Sequence, residues 1–290
     1  MHKYLPLLAT VVVIAINAAA NIVPINGINT GEVSALYPTG FTPAGWVFAI
    51  WSLIYLGLLA FGVFALRVPD ERSGRVRGIE PAYLVSCLAN AIWIFMWHYQ
   101  RLLESLLLML VIFASLLVIY VRLRAAPAAS RGERICVDMA FSLYFGWITT
   151  ATLANLAAWF FDLGVYPFRL AMDDWAILTV VTATAVYTAV GVRTQDAIYT
   201  AVFAWASLGI VLQTMEISHA VRLAAAAGCA VMVVVTLVSV VTARGTARGG
   251  VSTARSAISF RASARSPIRP RANTSPRSGA SRRRRCLKRA

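Results

Sequence analysis

An all-α polytopic membrane protein is the fold class that three observations on this sequence predict. Hydrophobic residues make up 59% of the chain and charged residues only 13%, against roughly 45–50% and about 25% in soluble domains. The apolar residues fall in runs close to the roughly 20 that carry a helix across a hydrocarbon core. Arg and Lys crowd every second connecting segment, as expected of a chain that threads a bilayer repeatedly.

Eight spans follow in order. Leu5–Val23 is short, and Ala18, Ala19 and Ala20 resemble a signal-cleavage region. Asn17 and Asn21, one turn apart on one face, favour a retained helix with an inward polar stripe over a discarded leader. Pro43–Leu66 opens on Thr42, a good N-cap, with Pro43 at the first helical position, where its missing N–H breaks no bond. Pro81–Tyr99, Leu103–Val121, Ile135–Phe161 and Trp175–Val192 are further spans, and Ala197–Gln213 is the shortest. His219–Thr242 carries Ala220, Ala224 and Gly228 at a spacing that lets another helix approach closely.

Charge sets the topology. Lys3, then Arg67, Arg72, Arg75 and Arg77, then Arg122, Arg124, Arg131 and Arg134, then Arg193 all lie on one side of an eight-span chain. Only Arg101, Arg169 and Arg222 lie on the other. Both termini are therefore expected in the cytoplasm, with the chain in the plasma membrane. From Arg244 onward the sequence is rich in Arg, Ser, Ala, Gly and Pro and holds 14 of the 27 basic residues with no acidic one. That tail, 244–290, is expected to be disordered and to touch anionic membrane lipid. Nucleic acid is a poor partner for it, because only Phe260 interleaves the arginines.

Soluble-type catalysis finds no support. Cys87, Cys136, Cys229 and Cys286 show no metal-ligand spacing. His2, His98 and His219 are scattered near span boundaries, where a half-wet imidazole is ordinary. Gln213, Thr214, Glu216 and His219 read as a solvated loop. No cofactor and no metal are expected.

Three spans carry Trp and Asn at matched depth: Phe41–Tyr55, Leu88–Tyr99 and Leu143–Trp159. A lipid-facing helix has no use for a mid-span amide or indole N–H, whereas a shared interior pocket does. Trp46 suits an aromatic belt, but Trp51, flanked by Phe48 and Tyr55, lies too deep for one. Asn90 and Trp93 share a face, and Asn90 is equally readable as interhelical glue or as a ligand contact. Trp147 aligns with Ala151, and Asn155 and Trp159 follow.

These residues bring a family into view. The chain resembles the TspO/MBR family, the tryptophan-rich sensory and translocator proteins. The resemblance rests on Pro43-Ala44-Gly45-Trp46-Val47-Phe48 with Trp51 and Tyr55, on Asn90 and Trp93, and on Tyr144, Trp147, Asn155 and Trp159. Ala44, Ala91 and Leu143 depart from the family pattern, and the stretch from Trp46 to Trp51 is one residue shorter than usual. The resemblance covers about residues 1–162, implying a five-helix transmembrane unit there, an additional three-helix segment over 163–243, and the tail.

It further implies a binding protein that takes a porphyrin-like or other planar hydrophobic molecule, often as a homodimer. By the same resemblance Trp51, Asn90, Trp93, Trp147 and Ala151 would line the pocket, with Asn155 structural. The loop Ile25–Thr42, with Glu32 and Tyr37, would form the lid. A receptor or sensor is thus the first functional reading. A transporter or permease of a small hydrophobic molecule is the alternative, although the span centres lack the ionisable residues that mark ion coupling. A membrane enzyme would need an acid, a base or a metal, and no convincing set is present.

Overall fold

The computed structural model describes residues 2–69, 71 and 73–263, with side chains from Lys3 to Ala243. Its α-helices are α1 Leu5–Ile22, α2 Thr30–Ala35, α3 Ile50–Arg67, α4 Gly74–His98, α5 Leu102–Ala125, α6 Arg131–Glu133, α7 Ala140–Leu163, α8 Met172–Thr194, α9 Ala197–Val211 and α10 His219–Ser263. The described residues contain no strand. The tail expected to be disordered, 244–290, lies outside the residues described with side chains.

Among the described residues, seven stretches are long and apolar enough to cross a membrane. The seventh of the eight expected spans is shorter than required: α9 has 15 residues, about 22 Å at 1.5 Å per residue, against a hydrocarbon core of about 30 Å. It is an apolar helix that buries Tyr199, Phe203, Ala206 and Ile210.

Five helices close a ring, in which α1 packs on α3, α3 on α7, α7 on α5, α5 on α4, and α4 back on α1. Of the candidate spans, the one containing α7 is the most buried, because it also carries α8 and α9 on its outer side. Small residues make this double contact fit. A methyl group added to Gly146 would lie 3.0 Å from Val202 of α9. The segment Met1–Arg244 forms one compact unit.

The buried stripe of α10 runs through Val221, Ala225, Gly228, Met232 and Ser239. It lies one position away from the expected Ala220 and Ala224, and Gly228 of that motif makes a close approach to Thr184 and Val180 of α8. The end of the bundle at the start of α4 is tied by ions. Arg75 pairs with Glu133 and Asp138 and donates to the Leu123 and Ala126 carbonyls, which satisfies orphan groups at the C-terminus of α5. Asp196 caps α9 through the Ile198 and Tyr199 amides and also takes Arg124, Tyr120 and Ser142.

Two local expectations are corrected. Thr42 does not cap a helix, because its hydroxyl donates to the Tyr37 carbonyl at 2.7 Å and so closes a turn within the loop. Pro43 accordingly precedes the helical segment, which begins as a 3-10 turn at Gly45–Ala49.

Candidate ligand chamber

The ring encloses an aromatic chamber at the end nearest the loop between α1 and α3. Trp51 comes from α3, Trp93 and Trp97 from α4, and Trp147, Ala151 and Asn155 from α7. Ser34, Pro43 and Phe48 complete one wall. Trp51 stacks on Trp93 at 6.0 Å with 30° between planes, and Trp93 on Trp97 at 6.2 Å and 18°. Trp147 stands edge-on to both Trp51 and Phe48, at 6.2 and 5.8 Å. Offset stacks and edge contacts of this kind satisfy the ring quadrupoles.

The indole N–H groups separate the roles of the tryptophans. Trp93 donates to Asn155 Oδ1 at 3.4 Å, and Trp97 donates to the Thr30 carbonyl at 3.2 Å. Trp147 Nε1 is buried and has no partner. An unpaired donor in an apolar site costs about 1–3 kcal/mol, so a native one calls for an explanation. Every residue lining the chamber is uncharged. Its free volume is about 30 Å³, far below the roughly 300–1,000 Å³ of ligand pockets, because the rings themselves fill the space.

The chain matches the TSPO-like protein family over residues 3–238. It belongs to that family. The TSPO-like fold is a helical membrane fold, and with its long apolar helices this chain is an integral membrane protein. The match extends past residue 162, through α8 and α9 and into α10. No curated protein and no solved structure matches the chain.

In this TSPO-like chain, four of the five residues expected in the pocket meet at the chamber: Trp51, Trp93, Trp147 and Ala151. Asn90 does not line it. Its amide donates to the Tyr144 hydroxyl at 3.4 Å and its carbonyl accepts from Asn17 at 2.9 Å, so it lies behind the wall as a tie between helices. Asn155 takes Ser105 Oγ and Trp93 Nε1 while donating to the Ala151 carbonyl, which fixes the wall from the α5 side. The one-residue shortening before Trp51 rotates a 3.6-residue helix by about 100°. The five-residue 3-10 segment Gly45–Ala49 gains about 20° per residue over an α-helix, which offsets the deficit and turns Trp51 inward.

The loop expected to act as a lid is held by many ties. Asn26 and Gly27 take positive φ at its first turn, a conformation these two residue types tolerate best. Asn29 and Glu32 form a reciprocal capping box on α2, which occupies the loop's only carboxylate while leaving its side chain exposed. Tyr37 is buried against Trp97 and Phe161. Burial first, and the charge of Asp162 second, raise its phenol above the ordinary value.

His98 is the residue that sequence reasoning missed. The expected half-wet imidazole is fully buried, because Nδ1 meets the Ile25 carbonyl at 3.1 Å and Nε2 meets Thr30 Oγ1 at 3.1 Å. Phe48, Trp97 and Asn17 were also not singled out as site residues; the run Trp97-His98-Tyr99 at the end of α4 was the available signal. Gln213 is buried rather than solvated, and its Nε2 has no partner. Among the described residues no group of His, Cys, Asp and Glu could hold a metal ion.

Proposed function

We propose that this TSPO-like protein is a non-enzymatic, receptor-like binder of a planar hydrophobic molecule of the porphyrin type, held in the aromatic chamber. One observation carries the reading: tryptophans from three helices converge there, and Trp147 Nε1 is buried without a partner. A ligand with an acceptor on its edge would supply the missing bond while its plane replaces ring-on-ring contacts. A porphyrin-sized body is accommodated by displacing Phe48 and Trp51, whose aromatic contacts the ligand plane restores. The uncharged lining gives no support to ion-coupled movement. Cytoplasmic termini in the plasma membrane, which the arginine distribution supports, require the apolar 15-residue α9 to complete an eighth crossing, with the bilayer thinned to match it. The family reading supports a homodimer.

The test is quenching of intrinsic tryptophan fluorescence by protoporphyrin IX in detergent. Saturable binding is expected in the unaltered protein. Trp147→Phe keeps an aromatic ring and removes the donor, so affinity should fall about two- to twelvefold, as a hydrogen bond of about 0.5–1.5 kcal/mol implies. Ala151→Phe fills the chamber and should abolish binding. Unsaturable quenching, or affinity indifferent to both substitutions in folded protein, would overturn the reading.

A further inference from the structure

Beside the chamber lies a second cavity of about 370 Å³, between α1, the start of α2 and α3. Ile14, Asn17, Ala18 and Asn21 line it from α1, and Ser52 and Tyr55 from α3. Phe48 and Trp51 line both this groove and the aromatic chamber. These two rings are thus the partition between a space large enough for a drug-sized ligand and one that is not.

The groove lies along the seam between α1 and α3. At one end they touch backbone to backbone: a methyl group on Gly62 would lie 2.9 Å from the Leu7 Cα. At the other end the same two helices flank the groove at Asn17, Ala18 and Ser52. The flanking residues Leu8, Val11 and Val12 of α1 and Leu53 and Leu56 of α3 are exposed and apolar, as on a lipid-facing surface. Polar groups nonetheless line the opening. Both amide hydrogens of Asn17 are engaged, by Val13 and Asn90, which leaves its Oδ1 as an acceptor. The Tyr55 hydroxyl makes no hydrogen bond within the described residues and stands as a donor.

The alternative way in, through the loop, is obstructed by the very helices that follow α7. Gly40, at φ 73°, packs so close to α8 that a methyl group there would lie 2.9 Å from Ala176. Ala44 donates its backbone N–H to the Gly209 carbonyl at 3.1 Å, and Trp205 Nε1 donates to the Val47 carbonyl at 3.1 Å. On the opposite side His98 and Trp97 bind the loop backbone at Ile25 and Thr30. Lifting the loop with the segment that follows it would break these together, whereas turning the Phe48 and Trp51 side chains breaks no side-chain hydrogen bond among the described residues.

We infer that the groove between α1 and α3 is a loading site, through which a planar amphipathic ligand passes from the bilayer into the chamber, with Phe48 and Trp51 as its door. The polar edge of the ligand pairs with Asn17 and Tyr55 on the way. This inference rests on the chamber reading above. It assigns α8–α10 the role of holding the loop shut.

Stopped-flow quenching by protoporphyrin IX, with the full chain in phosphatidylcholine nanodiscs, tests it. Ser52→Phe and Ala18→Phe each narrow the groove without touching the chamber. In variants shown to be folded by size exclusion and circular dichroism, association and dissociation should both slow by about tenfold, with Kd within about twofold of the unaltered value. Asn26→Gly, which removes the bond from Asn26 to the His98 carbonyl while tolerating the positive φ of that position, should leave both rates unchanged. Unchanged rates in the groove variants, or faster exchange in Asn26→Gly, would overturn the lateral route while leaving the chamber intact. Absence of saturable binding in the unaltered protein would instead overturn the chamber reading, and the route with it.

Discussion

Asn17 of α1 donates its side-chain amide to Asn90 of α4 at 2.9 Å, with Asn17 4% and Asn90 0% exposed. This bond closes the ring behind the chamber, and the Tyr144 hydroxyl extends it to α7. Replacing either asparagine by alanine leaves the other unsatisfied, at a cost of about 1–3 kcal/mol. The double substitution should cost less than the sum, with a coupling of about 0.6–1.7 kcal/mol. Equilibrium unfolding in mixed micelles measures the cycle, and strict additivity would show that the bond contributes nothing.

Asp196 concentrates the polar bonding at the other end of the bundle. It is buried, it caps α9, and it pairs with an Arg124 whose side chain is 37% exposed. Removing the carboxylate in Asp196→Ala takes the ion-pair partner from a partly buried guanidinium and one acceptor each from Tyr120 and Ser142, and should destabilise by about 3 kcal/mol. Asp196→Asn keeps an oxygen for the cap and should lose less. Equal losses in the two variants, read by thermal unfolding, would mean that the retained cap is immaterial and that loss of the charge accounts for the effect.

The chamber was legible from sequence because a mid-span Trp or Asn has no reason to face lipid, and Trp51, Trp93, Trp147 and Ala151 indeed converge. Asn90 was legible as a buried amide but not in its role, since the choice between ligand and partner depends on Asn17 of α1, 73 residues away. The hold on the loop was not legible at all. It runs through backbone carbonyls at Ile25, Thr30, Val47 and Gly209, and a carbonyl acceptor has no side-chain signature. Thr42 shows the same limit: as a hydroxyl before a proline it has the pattern of an N-cap, yet a nearer carbonyl at Tyr37 takes its proton.

Tyr37 gives the loop an alkaline limit. Burial and the neighbouring Asp162 raise its phenol above the ordinary value, which is about 10. The unfolded chain therefore releases this proton before the folded one does. Stability is full below about pH 10 and falls as pH rises through the folded value. Thermal unfolding between about pH 8 and 11 should show a shallower alkaline decline for Tyr37→Phe than for the unaltered protein. Identical slopes would assign the decline to other groups.

Gly209 is where the last helices grip the loop most tightly. Its carbonyl accepts from Ala44 at 3.1 Å, and a methyl group there would overlap Val47 and lie 3.2 Å from Pro43. Neither neighbour can yield freely, because Pro43 is fixed by its ring and the Val47 carbonyl is held by Trp205. Gly209→Ala should therefore cost about 1–3 kcal/mol by overpacking and push α9 away from the 3-10 turn before α3. That displacement lengthens the bond from Ala44 and frees the loop on one side, so hydrogen exchange should quicken at Ala44 and Val47 while the amides of α4 and α5 keep their protection. Uniformly faster exchange would mean simple global destabilisation. Unchanged exchange in a folded variant would mean that α9 does not hold the loop, and the obstruction assigned to these helices would be lost.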